Sequence, residues 1–251
     1  MAQQKGIIKL DGTIGGITFY KSKDGYLARE KGGVSADKIA NDPAFQRTRE
    51  NGAEFGRAGK AGKVLRTSLR ALLQNASDSR MVSRLTTEML KVVQADAVNP
   101  RGERNVIDGE AELLQGFEFN INGKLGTTLY APFTAAIDRV SGALTVDIPA
   151  FVPIHMLAAP GGSTHYKIIS AGVEVDFENE TYVMDTQDTA IQPWDATATA
   201  AINLANAVPA ASTHPLFLAL GIEFYQEVNG QMYPLKNGAF NALALVKVSG
   251  V

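Results

Sequence analysis

The run Thr134-Ala-Ala-Ile-Asp-Arg-Val-Ser-Gly-Ala-Leu-Thr-Val-Asp-Ile148 holds two extended segments, 134–140 and 143–148, separated by Ser141-Gly142. Leu144, Val146 and Ile148 alternate with Thr145 and Asp147, the period of a strand with one buried face, and the glycine supplies the positive φ of a tight turn. The same punctuation recurs outward from here: Asn122-Gly123, Asn229-Gly230 and Asn237-Gly238 each divide short extended runs between Phe117 and the C-terminus. Strands and hairpins over this whole span predict an antiparallel β-sandwich-like domain. The alanine-rich stretch 196–207 departs from that texture and is expected to be a helical insertion.

Upstream the period changes to 3.6. Asp42-Pro43 has the form of an N-cap followed by proline in the first helical turn. From 44 to 75 one side of the predicted helix carries Phe55, Ala58, Ala61, Leu65, Leu69, Leu72 and Leu73, and another carries Arg49, Lys60, Lys63, Arg66 and Arg70. Gly52, Gly56, Gly59 and Gly62 are costly inside a helix, about 1 kcal/mol each relative to alanine. Spaced three or four apart, they predict a flattened surface that another backbone can approach. Ser77 or Asp78 can cap a second helix, with Met81, Val82, Leu85, Met89, Val92 and Val93 as its apolar stripe. Asn99-Pro100-Arg101-Gly102 closes this helical hairpin, and a short helical stretch is expected over 108–115.

The N-terminus reads as strands at 6–10, 17–21 and 26–30, with a hairpin at Asp24-Gly25. Two or three strands are not stable alone, so this piece must join a sheet in its own chain or in another. Its run Gly6-Ile-Ile-Lys-Leu-Asp-Gly12-Thr-Ile-Gly15-Gly16-Ile-Thr-Phe-Tyr20, with Asp24-Gly25-Tyr26 and the stretch 29–33, resembles the start of uncharacterised proteins of similar length from Bacteroidota. That resemblance extends over most of the chain. It implies an origin, and no activity or site residue comes with it.

Composition narrows the classes further. Without cysteine there is no disulfide, thiolate metal site or thiol nucleophile. No apolar run approaches the roughly 20 residues that span a bilayer, and 1–11 lacks a signal-peptide apolar block, so the expectation is a chain made in the cytoplasm, unanchored, and compatible with release into an extracellular assembly. The net charge of −2 conceals a separation: residues 1–105 balance at +8, with 19 Lys and Arg against 11 Asp and Glu, and the remainder balances at −10, with 5 against 15. Such a layout favours docking of unlike surfaces, within one molecule or between copies.

Catalytic signatures are weak. Gly56-Arg-Ala-Gly-Lys-Ala-Gly-Lys63 imitates a phosphate loop, but five residues rather than four separate the first glycine from the final Gly-Lys pair, and Val64 stands where Ser or Thr should hold a metal. His155, His165 and His214 lack zinc-site spacing, and neither Ser163 nor Ser212 lies in a Gly-x-Ser-x-Gly elbow. Glu174, Asp176, Glu178 and Glu180 alternate with Val173, Val175 and Phe177, which predicts a row of carboxylates on one strand face. No cofactor and no metal are expected.

The resulting expectation is an α+β protein in three segments: an N-terminal β-hairpin segment (1–33), a basic helical hairpin (34–105) and an acidic β-rich domain (106–251). The expected function is non-enzymatic and structural: head-to-tail assembly with copies of itself, as a filament, lattice or virion-like particle. Its interface would comprise Ile7, Ile8, Leu10, Ile17 and Phe19, the helical set Arg49, Gly56, Gly59, Lys60, Lys63, Arg66 and Arg70, and the acidic set Glu174, Asp176, Glu178 and Glu180. Strand addition by the N-terminus would supply backbone hydrogen bonds. Two other classes compete with this one: a monomeric module binding carbohydrate or protein through an exposed Trp194 or tyrosines, and a hydrolase with dispersed catalytic residues. Nucleic acid is a less favoured partner, because no aromatic residue interleaves with the basic face.

Overall fold

The computed structural model describes residues 2–30 and 32–250, so Met1, Lys31 (inside segment 1–33) and Val251 lie outside the described residues. The chain is α+β and divides into two compact units, Met1–Arg49 and Glu50–Val251.

The first unit is a four-stranded antiparallel sheet followed by short helices. Strands β1 (Ala2–Gln3), β2 (Gly12–Ile14), β3 (Ile17–Ser22) and β4 (Gly25–Glu30) lie in the order β1-β4-β3-β2. The hairpin expected at Asp24-Gly25 forms one residue earlier: Ser22 pairs with Gly25, leaving Lys23 and Asp24 as the connection, and Gly25 begins β4 at φ 106°. The strand expected at 6–10 is instead a loop. The Gln4 side chain closes it, its amide oxygen accepting from the Leu10 N–H at 2.8 Å and its Nε2 donating to the Leu10 carbonyl at 3.2 Å. Helix α1 (Ala36–Asn41) starts at Ser35, whose Oγ accepts from the Lys38 N–H. Asp42 then caps a 3-10 turn at Pro43–Phe45 as its sequence suggested.

Helix α2 (Gln46–Ser68) runs unbroken through all four glycines and is followed by α3 (Arg70–Leu73) and α4 (Met81–Gln94). Within the second unit, Gly62 of α2 meets Leu85 and Met89 of α4, and the predicted stripe from Ala58 to Leu73 is buried. The loop 96–104, which the sequence marks as a boundary, lies inside this unit and is fastened to α2. Arg104 holds buried Glu54 through two bonds of 2.7 and 2.9 Å, and Arg57 donates to the carbonyls of Gly102 and Arg104. Asp96 organises the other side of that loop, accepting from the backbone N–H groups of Val98, Asn99 and Asn105 and from the Asn99 side chain. The short helix expected over 108–115 is a 3-10 turn at Ala111–Leu114.

After α5 (Leu125–Thr128) come β5 (Thr134–Asp138), β6 (Ala143–Ile148), α6 (Pro153–Met156), β7 (His165–Asp176), β8 (Thr181–Asp188), β9 (Gln192–Pro193), β10 (Ile202–Ala207), β11 (Leu216–Val228), β12 (Gln231–Pro234) and β13 (Ala242–Ser249). They build two antiparallel sheets. In the larger, β7 and β11 are central, with β8 and β9 beyond β7, and β12 and β13 beyond β11; the smaller has the order β10-β6-β5. Alternation assigns the faces. Val173, Val175, Phe217, Ala219, Leu243 and Leu245 point to the core shared with α2 and α4, while Ile168, Leu218, Leu220, Ile222, Phe224 and Ala244 point to the core shared with the smaller sheet. The second unit therefore has three layers, helices, large sheet and small sheet, with a sandwich between the last two. Gly172 is what lets the small sheet approach, since a Cβ there would stand 2.7 Å from that of Asn206.

The alanine-rich insertion is a correction. Its first half is irregular and its second half is β10, every residue of which pairs with β6 from Ile202–Ile148 to Ala207–Ala143. Alanine's helical preference is a fraction of a kcal/mol per residue, and burial of Leu204 and Asn206 against the large sheet outweighs it.

Candidate functional site

The features most unlike an ordinary surface lie in the first unit. None of its described residues is buried. Strand register shows why this matters. Ile14 pairs with Ile17, Ile17 also with Glu30, Gly12 and Ala28 both pair with Phe19, Tyr26 pairs with Lys21, and Ala2 pairs with Ala28, so Ile14, Ile17, Phe19, Tyr26, Ala28 and Ala2 share one face, with Lys21 and Glu30 toward its margins. The opposite face carries Thr13, Thr18, Tyr20, Leu27 and Arg29; the Thr13 and Thr18 hydroxyls lie 3.2 Å apart, and Arg29 sits over the Tyr20 ring. An amphipathic sheet of this kind ordinarily covers its apolar face with a core. Here Ile14 and Ile17 remain 64% and 46% exposed. A depression of about 580 Å³ lined by Ala2, Gly16, Ile17, Ala28, Arg29 and Glu30 opens on the sheet. The loop closed by Gln4, which joins β1 to β2, holds exposed Ile7 and Ile8, with Leu10, also exposed, at its base.

The expected helical set is split. Arg49 is occupied locally, donating to the carbonyls of Ile39 and Asp42 at 2.8 and 3.0 Å. Gly56 and Gly59 share an open stripe with Gly52 and Phe55, the one member of the predicted apolar side that is exposed; a Cβ at any of the three glycines would meet nothing within 4 Å. Lys63, Arg66 and Arg70 are brought together along a depression of about 420 Å³ floored by Leu73 and Met81. Lys60 pairs with Glu180 at 2.5 Å. One contact between the basic helix and the acidic set is thus made inside the molecule.

The carboxylate row is also corrected. Strand β7 ends at Asp176, whose carboxylate caps the following turn by accepting from the Glu178 and Asn179 N–H groups and the Asn179 amide, and these bonds hold its pKa below the ordinary carboxylate value. Glu174 is buried beneath Ser212, which donates to it at 2.7 Å. Glu178 is exposed in the turn, and Glu180, at φ 58°, enters β8. The four do not form one face.

Among the described residues one hydroxyl–imidazole pair stands apart from them: Thr164 Oγ1 lies 2.9 Å from His165 Nδ1, and His165 Nε2 lies 3.9 Å from Glu227. Ser212 directs its hydroxyl at Glu174 and accepts from the His214 backbone N–H at 3.0 Å, while the His214 ring faces Asp176 at 3.8 Å. Arg139 clasps the same region, donating to the carbonyls of Ser212 and His214 and to Ser249. Around Glu223, Tyr225 donates at 2.6 Å, Asn75 at 2.9 Å, and Lys167 lies at 3.1 Å. Burial and the Glu223 charge push the Tyr225 hydroxyl up to about 12, so it stays protonated and acts as a donor rather than a base. Among the described residues no three acidic or histidine side chains converge as a metal site, and no helix is long and apolar enough to cross a membrane. Trp194, expected as an exposed anchor, packs against the core between the sheets.

Sequence reasoning missed one feature altogether: an apolar groove of about 310 Å³ at the rim of the small sheet, lined chiefly by Phe133, Thr134, Asp147, Ile148, Pro149 and Ile202. Its only sequence signal is the pair of prolines, Pro132 and Pro149, at the ends of β5 and β6.

No family model matches the chain, and no curated protein is similar to it. Among solved structures, the reeler domain of human F-spondin (fragment 1) is similar over 49% of this chain and 97% of its own length, at 12% identity and a TM-score of 0.16, an overlap too slight to bear on fold or function.

Proposed function

We propose that this protein is a non-enzymatic structural subunit that assembles with copies of itself, the N-terminal sheet being the adhesive element. One observation carries the reading: residues 2–30 and 32–49 contain an amphipathic sheet and not a single buried side chain. Exposed apolar patches of this kind mark association surfaces. Burying an isoleucine is worth about 1.5–3 kcal/mol, so Ile14 and Ile17 with Phe19 supply a strong reason to find a cover. The open Gly52-Phe55-Gly56-Gly59 stripe supports the reading from a second element. Because these surfaces are unlike one another, contacts between them would be head-to-tail, which propagates into a filament or lattice unless rotation closes a ring. The Lys60–Glu180 pair removes one of the charge contacts expected between copies, so apolar cover rather than charge is the principal drive.

The test is sedimentation velocity on the full chain across concentration and salt, beside Ile14→Asp with Ile17→Asp. Association in the wild type and its loss in the variant, with an unchanged cooperative unfolding transition for the second unit, is the expected result. A wild type that stays monomeric throughout, or a variant that assembles equally well, overturns the proposal.

A further inference from the structure

We propose that the apolar groove of the small sheet receives the Ile7-Ile8 loop of a second copy, an inference that rests on the self-assembly reading and names one of its contacts. The donor is a shaped projection. Gln4 bonds both backbone groups of Leu10, so residues 5–9 leave and return at one point, and Ile7 and Ile8 at the tip are 103% and 81% exposed. Gln4 is itself anchored to the sheet, its N–H donating to the Tyr26 carbonyl and its Nε2 to that of Leu27. Four bonds of one residue thus close the loop and tie its base to β4. Two adjacent aliphatic side chains presented this way are an anchor without a pocket.

The groove is the matching cavity. At about 310 Å³ it lies at the small end of cavities that hold a ligand, suited to a pair of branched aliphatic side chains. Its floor and walls are Phe133, Ile148, Pro149 and Ile202, and its one charged member is Asp147, exposed at the rim and accepting from Asn203. The loop carries the opposite charge on both sides of its apolar pair, Lys5 before it and Lys9 after it. Lys9 also donates to the Gln4 carbonyl and lies over the Tyr26 ring at 5.9 Å, which leaves Lys5 as the principal partner for the rim. Apolar tip into apolar floor, with a lysine at an aspartate rim, is the layout of a buried anchor within a polar border. Knob and groove are different surfaces of the same chain, so a contact between copies leaves one of each unused and adds the next subunit.

The absence of cysteine makes the test clean. Ile8→Cys chains are mixed with tagged Ala201→Cys chains, Ala201 being exposed on the groove wall, and oxidised under mild conditions. Disulfides need Cβ atoms within about 4.5 Å, so only docked pairs react efficiently. The expected result is a mixed dimer in several-fold excess over that formed with an exposed Ala97→Cys control. Asp147→Lys should weaken association about tenfold at low salt, and Lys5→Glu should restore it. Equal cross-linking to groove and control, or closure of an Ile8→Cys/Ala201→Cys chain on itself at high dilution, overturns the inference. A chain that associates through Ile14 and Ile17 yet fails these tests defeats the groove contact alone; a strict monomer defeats both proposals.

Discussion

Residues 2–49 and residues 50–251 solve the same problem to different degrees. The second unit buries the faces of its large sheet twice, under α2 and α4 on one side and under β10-β6-β5 on the other, and its central strands β7 and β11 read as near-continuous buried runs. The first unit has paired strands, capped helices and an apolar face in good register, but none of its described residues is buried. Hydrogen-bonded strands are thus not what distinguishes a finished fold from an unfinished one. What differs is burial, which under the proposed reading leaves residues of core type available for contact with another copy.

The largest expected effect breaks or sharpens that contrast directly. Phe217 is fully buried, edge-on to Phe177 at 6.2 Å between ring centres, and Phe217→Ala should cost about 3–5 kcal/mol in urea unfolding. Phe19 is the corresponding aromatic of the first sheet, and Phe19→Ala should cost less than about 1 kcal/mol when measured dilute enough to exclude association. A loss above about 2 kcal/mol for Phe19→Ala in a monomer would show that its face is covered by the same chain, and the contrast would fail.

Next in size is the clamp at Asp96. Burial alone would raise its carboxyl pKa, but hydrogen bonds from Asn99, Asn105 and Val98 outweigh burial and hold it at about 2, below the ordinary 3.8. A pKa depressed on folding gives stability that is present above the unfolded value and lost as pH falls through the folded one. Asp96→Asn should therefore cost about 1–2 kcal/mol near neutrality, and the difference from wild type should shrink between pH 4 and 2. A difference that stays constant over that window would mean the hydrogen bonds do not depend on charge. Because the clamp lies in the second unit, this acid sensitivity should leave association through the first unit unaffected until the second unfolds.

Legibility followed the range of the interaction that decides each element. Asn229-Gly230 and Ser141-Gly142 were readable because their turns are settled locally, with Asn229, Gly230 and Gly142 at positive φ. The burial of Ala58 to Leu73 followed from period alone. The loop at 6–10 was not readable, since a run with strand composition is diverted by one side chain, Gln4, bonding across six residues. The carboxylate row failed where alternation stopped, at Asp176, whose cap redirects the chain. Of the proposed interface, Ile7, Ile8, Leu10, Ile17 and Phe19 were visible as apolar residues without a host. Their alliance with Ile14, Tyr26 and Ala28 required the register, and the groove required residues from three strands.

The smallest effect has the opposite sign. Gly56 and Gly59 have helical neighbours on both sides, are absent from the positive-φ positions, and have open space where a Cβ would go. Among the described residues nothing requires glycine at either place. Gly56→Ala and Gly59→Ala should each stabilise the second unit by about 1 kcal/mol, raising Tm by roughly 2–4 °C. Two methyl groups on an otherwise flat stripe would hold a docking backbone away, so a variant that melts later but assembles less would place the glycines in a contact between molecules. Later melting with unchanged assembly would assign association to the N-terminal sheet alone and leave the stripe as a helix surface that tolerates glycine because the core beneath α2 stabilises it sufficiently.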